Sequence, residues 1–272
     1  HIAWGVSTMY ADVTDLYVER VDGDTYEYKG KRLPVETRRE EIEVADGETR
    51  TITIRSTRHG PILSDVSDEV SELGNAVALK WTALDPGRTI SAVFAFDTAR
   101  SWKEFRAAAR RFEVPSQNFV YADVEGNIGY QASGTIPTRS PGDGRWRVPG
   151  WERRHEWEGT IPFSALPRVR NPDEGLVVSA NNQVVGGRYP YELGADTAPG
   201  YRSERIRDLL TSKDTLSVRD MTRFQTDTYN PNARRLVPYL VDIPPDTPFA
   251  RQGQDTLRGW DHRQTAESGA AA

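Results

Sequence analysis

The sequence contains no cysteine. Disulfide scaffolds, thiolate metal sites and a cysteine nucleophile are therefore excluded. Histidine is scarce too. His1, His59, His155 and His262 are the only ones, and no two stand at the spacing of a zinc-ligand pair. No apolar run approaches the ~20 residues that cross a bilayer as a helix, so no membrane partner is expected. Excess positive charge is also missing. The net charge is −5, and Arg106, Arg110 and Arg111 sit among Glu residues. Nucleic acid, which is bound largely through clustered Lys and Arg, is not an expected partner. There is no Gly-rich phosphate loop, no Ser in a nucleophile elbow and no His-Glu zinc signature, and no organic cofactor is expected. The chain opens on His1-Ile2-Ala3-Trp4-Gly5, without Met or a leader, and closes on Ser268-Gly269-Ala270-Ala271-Ala272. Both ends read as internal to a longer protein.

What remains is a globular composition. Hydrophobic residues make up 37% and charged residues 28% of 272 positions, enough for one large domain or two small ones. The first third reads as strands: Tyr26-Glu27-Tyr28, Leu33-Pro34-Val35, Glu41 to Val44, Thr51 to Ile54 and Val77 to Trp81. Their alternation predicts one buried and one wet face. Asp46-Gly47 predicts a hairpin, with Gly taking the positive φ. Helices are expected from residue 88 onward. Ser101 with Glu104 forms a capping-box pattern. Trp102, Phe105, Ala108, Ala109 and Phe112 then make an apolar face at helical spacing, read as core. Phe119 to Val124 and Ile128 to Ala132 flank Glu125-Gly126-Asn127 as a hairpin. Residues 137 to 176 are rich in Pro, Gly and Trp and read as long ordered loops. Arg205 to Leu210 and Ser217 to Phe224 read as helices, the second capped by Ser217. Ile243-Pro244-Pro245 reads as a connector to a final helix.

On residue chemistry alone, no active site is encoded. Asn181-Asn182 follow the apolar run Leu176-Val177-Val178 and read first as a turn. Asp12, Thr14 and Asp15 read either as a helix N-cap cluster or as hard-oxygen ligands for Ca²⁺. The seven Trp residues leave room for a non-catalytic binding or interaction module with a strand-rich, Trp-containing surface.

Five segments in order change these odds. They are Ile2-Ala3-Trp4-Gly5; Ala11-Asp12-Val13-Thr14-Asp15-Leu16-Tyr17; Thr57-Arg58-His59-Gly60-Pro61; Asn118 to Asp123 with Gly126 to Tyr130; and Ser179-Ala180-Asn181-Asn182 with Tyr201-Arg202. Val148-Pro149-Gly150 and Trp157-Glu158-Gly159 extend the set. Together they resemble the β subunit of the penicillin acylase family over nearly the whole chain. The resemblance implies an α+β fold, a fragment of the four-layer αββα sandwich of N-terminal-nucleophile hydrolases. It implies that residues 1–272 are an internal part of a β subunit. The nucleophile, a Ser freed by self-cleavage of a precursor, falls before His1. The expected partners are the separate α subunit and the N-terminal part of the β subunit. The expected substrate is a small N-acyl amide, and the expected location is periplasmic or extracellular. The fragment alone is expected to be inactive and prone to self-association; a family member that has lost catalysis is a further possibility.

The resemblance also assigns roles. The free α-amino group of the Ser is the base, its pKa near ~7.7–8.0 leaving part of it neutral. One oxyanion donor is the Asn181 side-chain amide, near the other, the Thr8 backbone N–H. Arg202 supports the catalytic Asn and the surroundings of the nucleophile; the bland alternative is a surface Arg at a helix start. Asn182 replaces Asn181 if the register shifts by one. Tyr10, Gln117 and Val6 line the acyl pocket, with ordinary core or rim positions as the alternative. Gln117 stands where the best-known members carry an apolar residue, which argues against a phenylacetyl preference. A structural Ca²⁺ is implied at Asp12, Asp15, the Thr14 and Gly144 carbonyls and Glu192, with one ligand from the α subunit.

Overall fold

The computed structural model describes residues 1–72 and 75–272. It divides into two units, His1–Asp173 with Val184–Thr197, and Glu174–Gln183 with Ala198–Ala272. The first unit begins with β1 (Ile2–Thr8), β2 (Thr14–Glu19), β3 (Val21–Asp22), β4 (Thr25–Tyr28) and β5 (Lys31–Pro34). β6 (Glu36–Ile42), β7 (Arg50–Thr57), β8 (Gly60–Pro61), the short helix α1 (Asp68–Ser71) and β9 (Ala76–Trp81) follow. Two helices, α2 (Thr89–Thr98) and α3 (Trp102–Ala109), lead into β10 (Gln117–Asp123) and β11 (Ile128–Ser133). The unit continues through β12 (Pro137–Arg139), β13 (Val148–Pro149), β14 (Trp157–Thr160) and β15 (Arg168–Arg170).

The principal sheet is antiparallel, in the order β1-β10-β11-β15. Its hairpin turn forms where expected. Gly126 takes φ 84°, and the Asp123 carboxylate accepts from the amides of Glu125 (3.0 Å) and Asn127 (2.9 Å). Side chains of α2 and α3 pack with those of β10 in one apolar cluster. Ala92, Phe96, Phe105, Ala108, Ala109, Phe119 and Tyr121 are buried there, with Trp102 and Phe112 against them. Thus the apolar stripe of α3 is core. The Ser101 hydroxyl accepts from the Glu104 amide at 3.3 Å. The reciprocal arm of the box differs: the Glu104 carboxylate takes the Arg100 amide (2.7 Å).

A second sheet runs β13-β2-β9, with β13 parallel and β9 antiparallel to β2. Two three-stranded sheets, β3-β4-β5 and β6-β7-β8, complete the strand-rich start. In the β6–β7 hairpin the positive φ falls on Asp46 (57°), and the Gly47 amide closes a turn onto the Val44 carbonyl at 3.0 Å. Asp tolerates the left-handed region, so either residue of the pair can supply it. The expected buried face is not formed by this hairpin, because Ile42 and Ile52 remain 46% and 38% exposed. Residues 137–176 carry four short strands where loops were expected. Strands of two to four residues are too short to display a period.

The second unit contains α4 (Tyr201–Leu210), α5 (Val218–Gln225), α6 (Pro231–Asp242) and α7 (Pro248–Leu257). Caps set three of the starts. Ser217 and Asp220 form a full capping box, and Asn230 and Thr247 each accept an amide at 3.1 Å ahead of a Pro in the first turn. Pro at the first helical position loses no hydrogen bond, which suits it to follow a cap. Helix α6 was not legible in the sequence, because Pro238 lies inside it.

Candidate active site

In the second unit, residues 176–178 form no strand, and Asn181 sits in irregular chain at φ 63°. Arg202, the second residue of α4, reaches it. Its Nη2 donates to the Ala180 carbonyl and to Asn181 Oδ1, both at 2.8 Å. A guanidinium can only donate, so the amide atom facing it is the oxygen. The Asn181 amide is thereby oriented, with Nδ2 as its donor end. Asn182 is used differently. Its Oδ1 accepts from the Ala180 amide (3.1 Å) and its Nδ2 donates to the Gln183 carbonyl (3.0 Å). Asn182 is the local turn residue; Asn181 is the oriented amide.

In the first unit, β1 is the terminal strand of its sheet. Backbone hydrogen-bonding directions alternate along a strand. The His1 carbonyl accepts from Val124 and the Met9 amide donates to Ser116 (both 3.2 Å), so the odd residues of β1 face β10. Thr8 is the last residue of β1. Its carbonyl is anchored: Asn118 Nδ2 donates to it at 3.2 Å, and Asn118 Oδ1 accepts from the Tyr130 hydroxyl at 2.7 Å. Asn118 is fully buried, so β1 is held by a polar contact that water does not reach. Gln117 is the cross-strand partner of Thr8, and Val6 pairs with Phe119. Tyr10 lies beyond the strand at φ 56°; Val6 and Tyr10 are 55% and 50% exposed.

Asp12, Thr14 and Asp15 lead into strand β2, not into a helix, so the N-cap reading is overturned. Their oxygens do converge, on Arg139. Its Nε donates to Asp15 Oδ1 and Oδ2 at 3.1 and 2.9 Å. Its Nη groups lie 3.3 Å from the Asp12 carbonyl and 3.5 Å from the Thr14 carbonyl and Asp12 Oδ1. Trp157 Nε1 also donates to Asp15. Burial raises the Asp12 pKa, and Arg139 partly offsets the rise. Gly144, at φ 84°, lies against this cluster: a Cβ there would strike both carboxylates. The Leu193 carbonyl accepts the Asp12 amide at 2.8 Å, and the charge of Glu192 is felt by Arg145. No group of three or more His, Asp or Glu side chains among the described residues could hold a metal ion. With the guanidinium in place the donors are committed, and a divalent ion does not fit among them.

Sequence reasoning missed Arg139 and one further cluster. The His59 side chain is fully buried, its Nδ1 2.7 Å from Glu19 Oε1 and its Nε2 3.0 Å from Glu156 Oε1. Tyr17 stacks on the imidazole with centroids 3.8 Å apart. Burial opposes ionisation of Glu156, but His59, Arg58 and Lys80 outweigh it and hold the carboxyl down at about 2. This cluster ties β2 to the β7–β8 turn and to β14. It is structural.

Comparison with known proteins bears on this geometry. The chain is 34% identical over its whole length to "Penicillin acylase 2 proenzyme" of Pseudomonas sp. (strain SE83), covering 35% of that protein. It is 29% identical to an acyl-homoserine lactone acylase of Pseudomonas fluorescens (strain Pf0-1), over 86% of this chain and 29% of the relative. The chain thus spans about a third of the length of these relatives. Its structure resembles a thermostable penicillin G acylase from Alcaligenes faecalis, with a TM-score of 0.78 and 27% identity over 98% of this chain and 49% of that one. That likeness carries the fold class, an α+β fragment of the N-terminal-nucleophile hydrolase fold. The penicillin amidase family model matches residues 1–272, and the chain belongs to that family.

Proposed function

We propose that this chain is an internal part of the β subunit of an amide hydrolase acting on small N-acyl compounds, either β-lactam side chains or acyl-homoserine lactones. The nucleophile, a Ser at a new N-terminus freed from a precursor, lies outside these residues. Its hydroxyl attacks the amide carbonyl while its own α-amino group accepts the proton. Asn181 Nδ2 and the Thr8 N–H donate to the oxygen that becomes negatively charged. The C–N bond then breaks, the amine leaves with a proton, and water hydrolyses the acyl ester. Arg202 positions Asn181. Val6, Tyr10 and Gln117 line the acyl pocket, Gln117 making it more polar than an aromatic acyl group requires. The α subunit and the first part of the β subunit are the partners, and the assembled enzyme works in the periplasm or outside the cell. The chain alone, without the nucleophile, turns nothing over. No helix among the described residues is long and apolar enough to cross a membrane.

The observation that carries this reading is the 2.8 Å contact of Arg202 with Asn181 Oδ1. It spends the acceptor end of the amide on a cation and presents the donor end, as an oxyanion donor requires. The test is Asn181→Ala in the full-length protein, with folding checked by circular dichroism. Turnover of N-acyl amides should fall roughly 10²–10³-fold, the loss typical of one oxyanion donor. Unchanged turnover in a folded variant rules the assignment out.

A further inference from the structure

The resemblance implies a calcium ion held by Asp12, Thr14 and Asp15; the geometry points instead to Arg139 as a permanent internal cation in that place. The donor set is two carboxylates and two carbonyls, an all-oxygen cluster of the kind a hard cation selects. A calcium ion draws such oxygens in to about 2.3–2.6 Å. Here they close at 2.9–3.5 Å around a planar guanidinium that addresses each of them. The site is well shielded. The side chains of Arg139, Asp15 and Asp12 are 7%, 5% and 20% exposed. A second cation beside the guanidinium meets like-charge repulsion that little water screens.

The chain aims Arg139 here by construction. It ends β12, where it pairs with Trp157 of β14 across a register shift between Thr138 and Arg139. Such an irregularity re-aims a side chain out of the regular ladder. Trp157 then closes the site from β14, its indole N–H donating to Asp15 and its ring 5.7 Å from the guanidinium carbon. Arg139 and Asp15 stand 124 positions apart in the chain. The ion pair therefore pins β12 to the start of β2, as a bound metal would. Its strength does not depend on free calcium. Remove the guanidinium, and the same oxygens become a cage for a divalent cation. This inference rests on the chain's own residues and not on the proposed activity.

The test uses the full-length protein dialysed against EGTA. Its calcium content is measured by atomic emission, and its melting temperature is recorded with and without CaCl₂. Wild type should retain no stoichiometric calcium and melt at the same temperature in both. Arg139→Ala should melt several degrees lower in EGTA and regain part of the loss, saturably, with calcium. The gain should vanish in the Arg139→Ala/Asp15→Asn double variant. Arg139→Lys, which keeps a charge, should lose less and stay indifferent to calcium. If Arg139→Ala does not fold without metal, its recovery only in calcium-containing medium is the supporting outcome, and failure in both media counts against the cage. A wild type that carries stoichiometric calcium and loses melting temperature on its removal overturns the proposal. So does an Arg139→Ala variant that responds to calcium no more than wild type.

Discussion

Arg202→Met is the sharpest probe of the oriented amide. Methionine keeps an unbranched stem and removes the guanidinium, whose Nη2 makes both 2.8 Å bonds. Hydrogen bonds from charged groups are each worth roughly 1.5–3 kcal/mol. The bond to Ala180 holds the main chain, and the bond to Asn181 Oδ1 holds the amide in one of its two orientations. If only the second bears on turnover, its loss releases about 1.5–3 kcal/mol of orientation, or roughly 10- to 100-fold in kcat. The ceiling is the ~10²–10³-fold cost of losing the donor outright. The full-length enzyme is assayed on a series of N-acyl amides, with kcat and KM separated. On the proposed role, in which the amide acts on charge that develops only in the transition state, the fall should appear in kcat with KM little changed. Arg202→Lys, able to reach one oxygen but not both, should lie between. The decisive comparison is the double variant. With Asn181 already Ala, Arg202 has no amide left to orient, so if its bond to Ala180 does not bear on turnover, Asn181→Ala/Arg202→Met should be no slower than Asn181→Ala. Losses that multiply mean that Arg202 acts elsewhere, and the positioning argument fails.

Glu156→Gln tests the buried His59 cluster through acid stability. The folded carboxyl sits at about 2, below its ordinary 4.5, so its contribution is present above pH 4.5 and fades as the pH falls toward 2. The full shift corresponds to about 3 kcal/mol, which partial solvent screening reduces to roughly 1–2 kcal/mol. The variant should melt lower than wild type at neutral pH, and the gap should close below pH 4; a constant gap across that range contradicts the linkage. Phe119→Ala empties the centre of the aromatic cluster, where Phe96 and Phe112 lie 4.7 and 5.1 Å from its ring. A loss of about 3–5 kcal/mol in denaturant unfolding is expected, and a loss near zero means that this cluster does not carry the first unit.

The legible features of this protein are local. Ser101 and Ser217 announce their helices because a cap satisfies an amide three residues on. The Glu125–Asn127 turn is equally short-ranged, its amides closed by Asp123. The family segments were legible for another reason: each is a short run, and their order is readable without folding anything. Asn181 was found that way, yet its adjacency to Asn182 left two registers open. What the folded chain adds is their different partners, one amide facing Arg202 and the other its own backbone. Arg139 shows where such reading ends. Nothing around Thr138-Arg139-Ser140 distinguishes it from a surface arginine. Its role appears only when β14 pairs with β12 and delivers the guanidinium to carboxylates more than a hundred residues earlier. His59 is the same case, with Glu19 and Glu156 at separations of 40 and 97. Periodicity and caps report contacts within about one turn or one strand pair. Buried ion pairs between distant segments depend on sheet register, and register is decided by the whole set of strands at once.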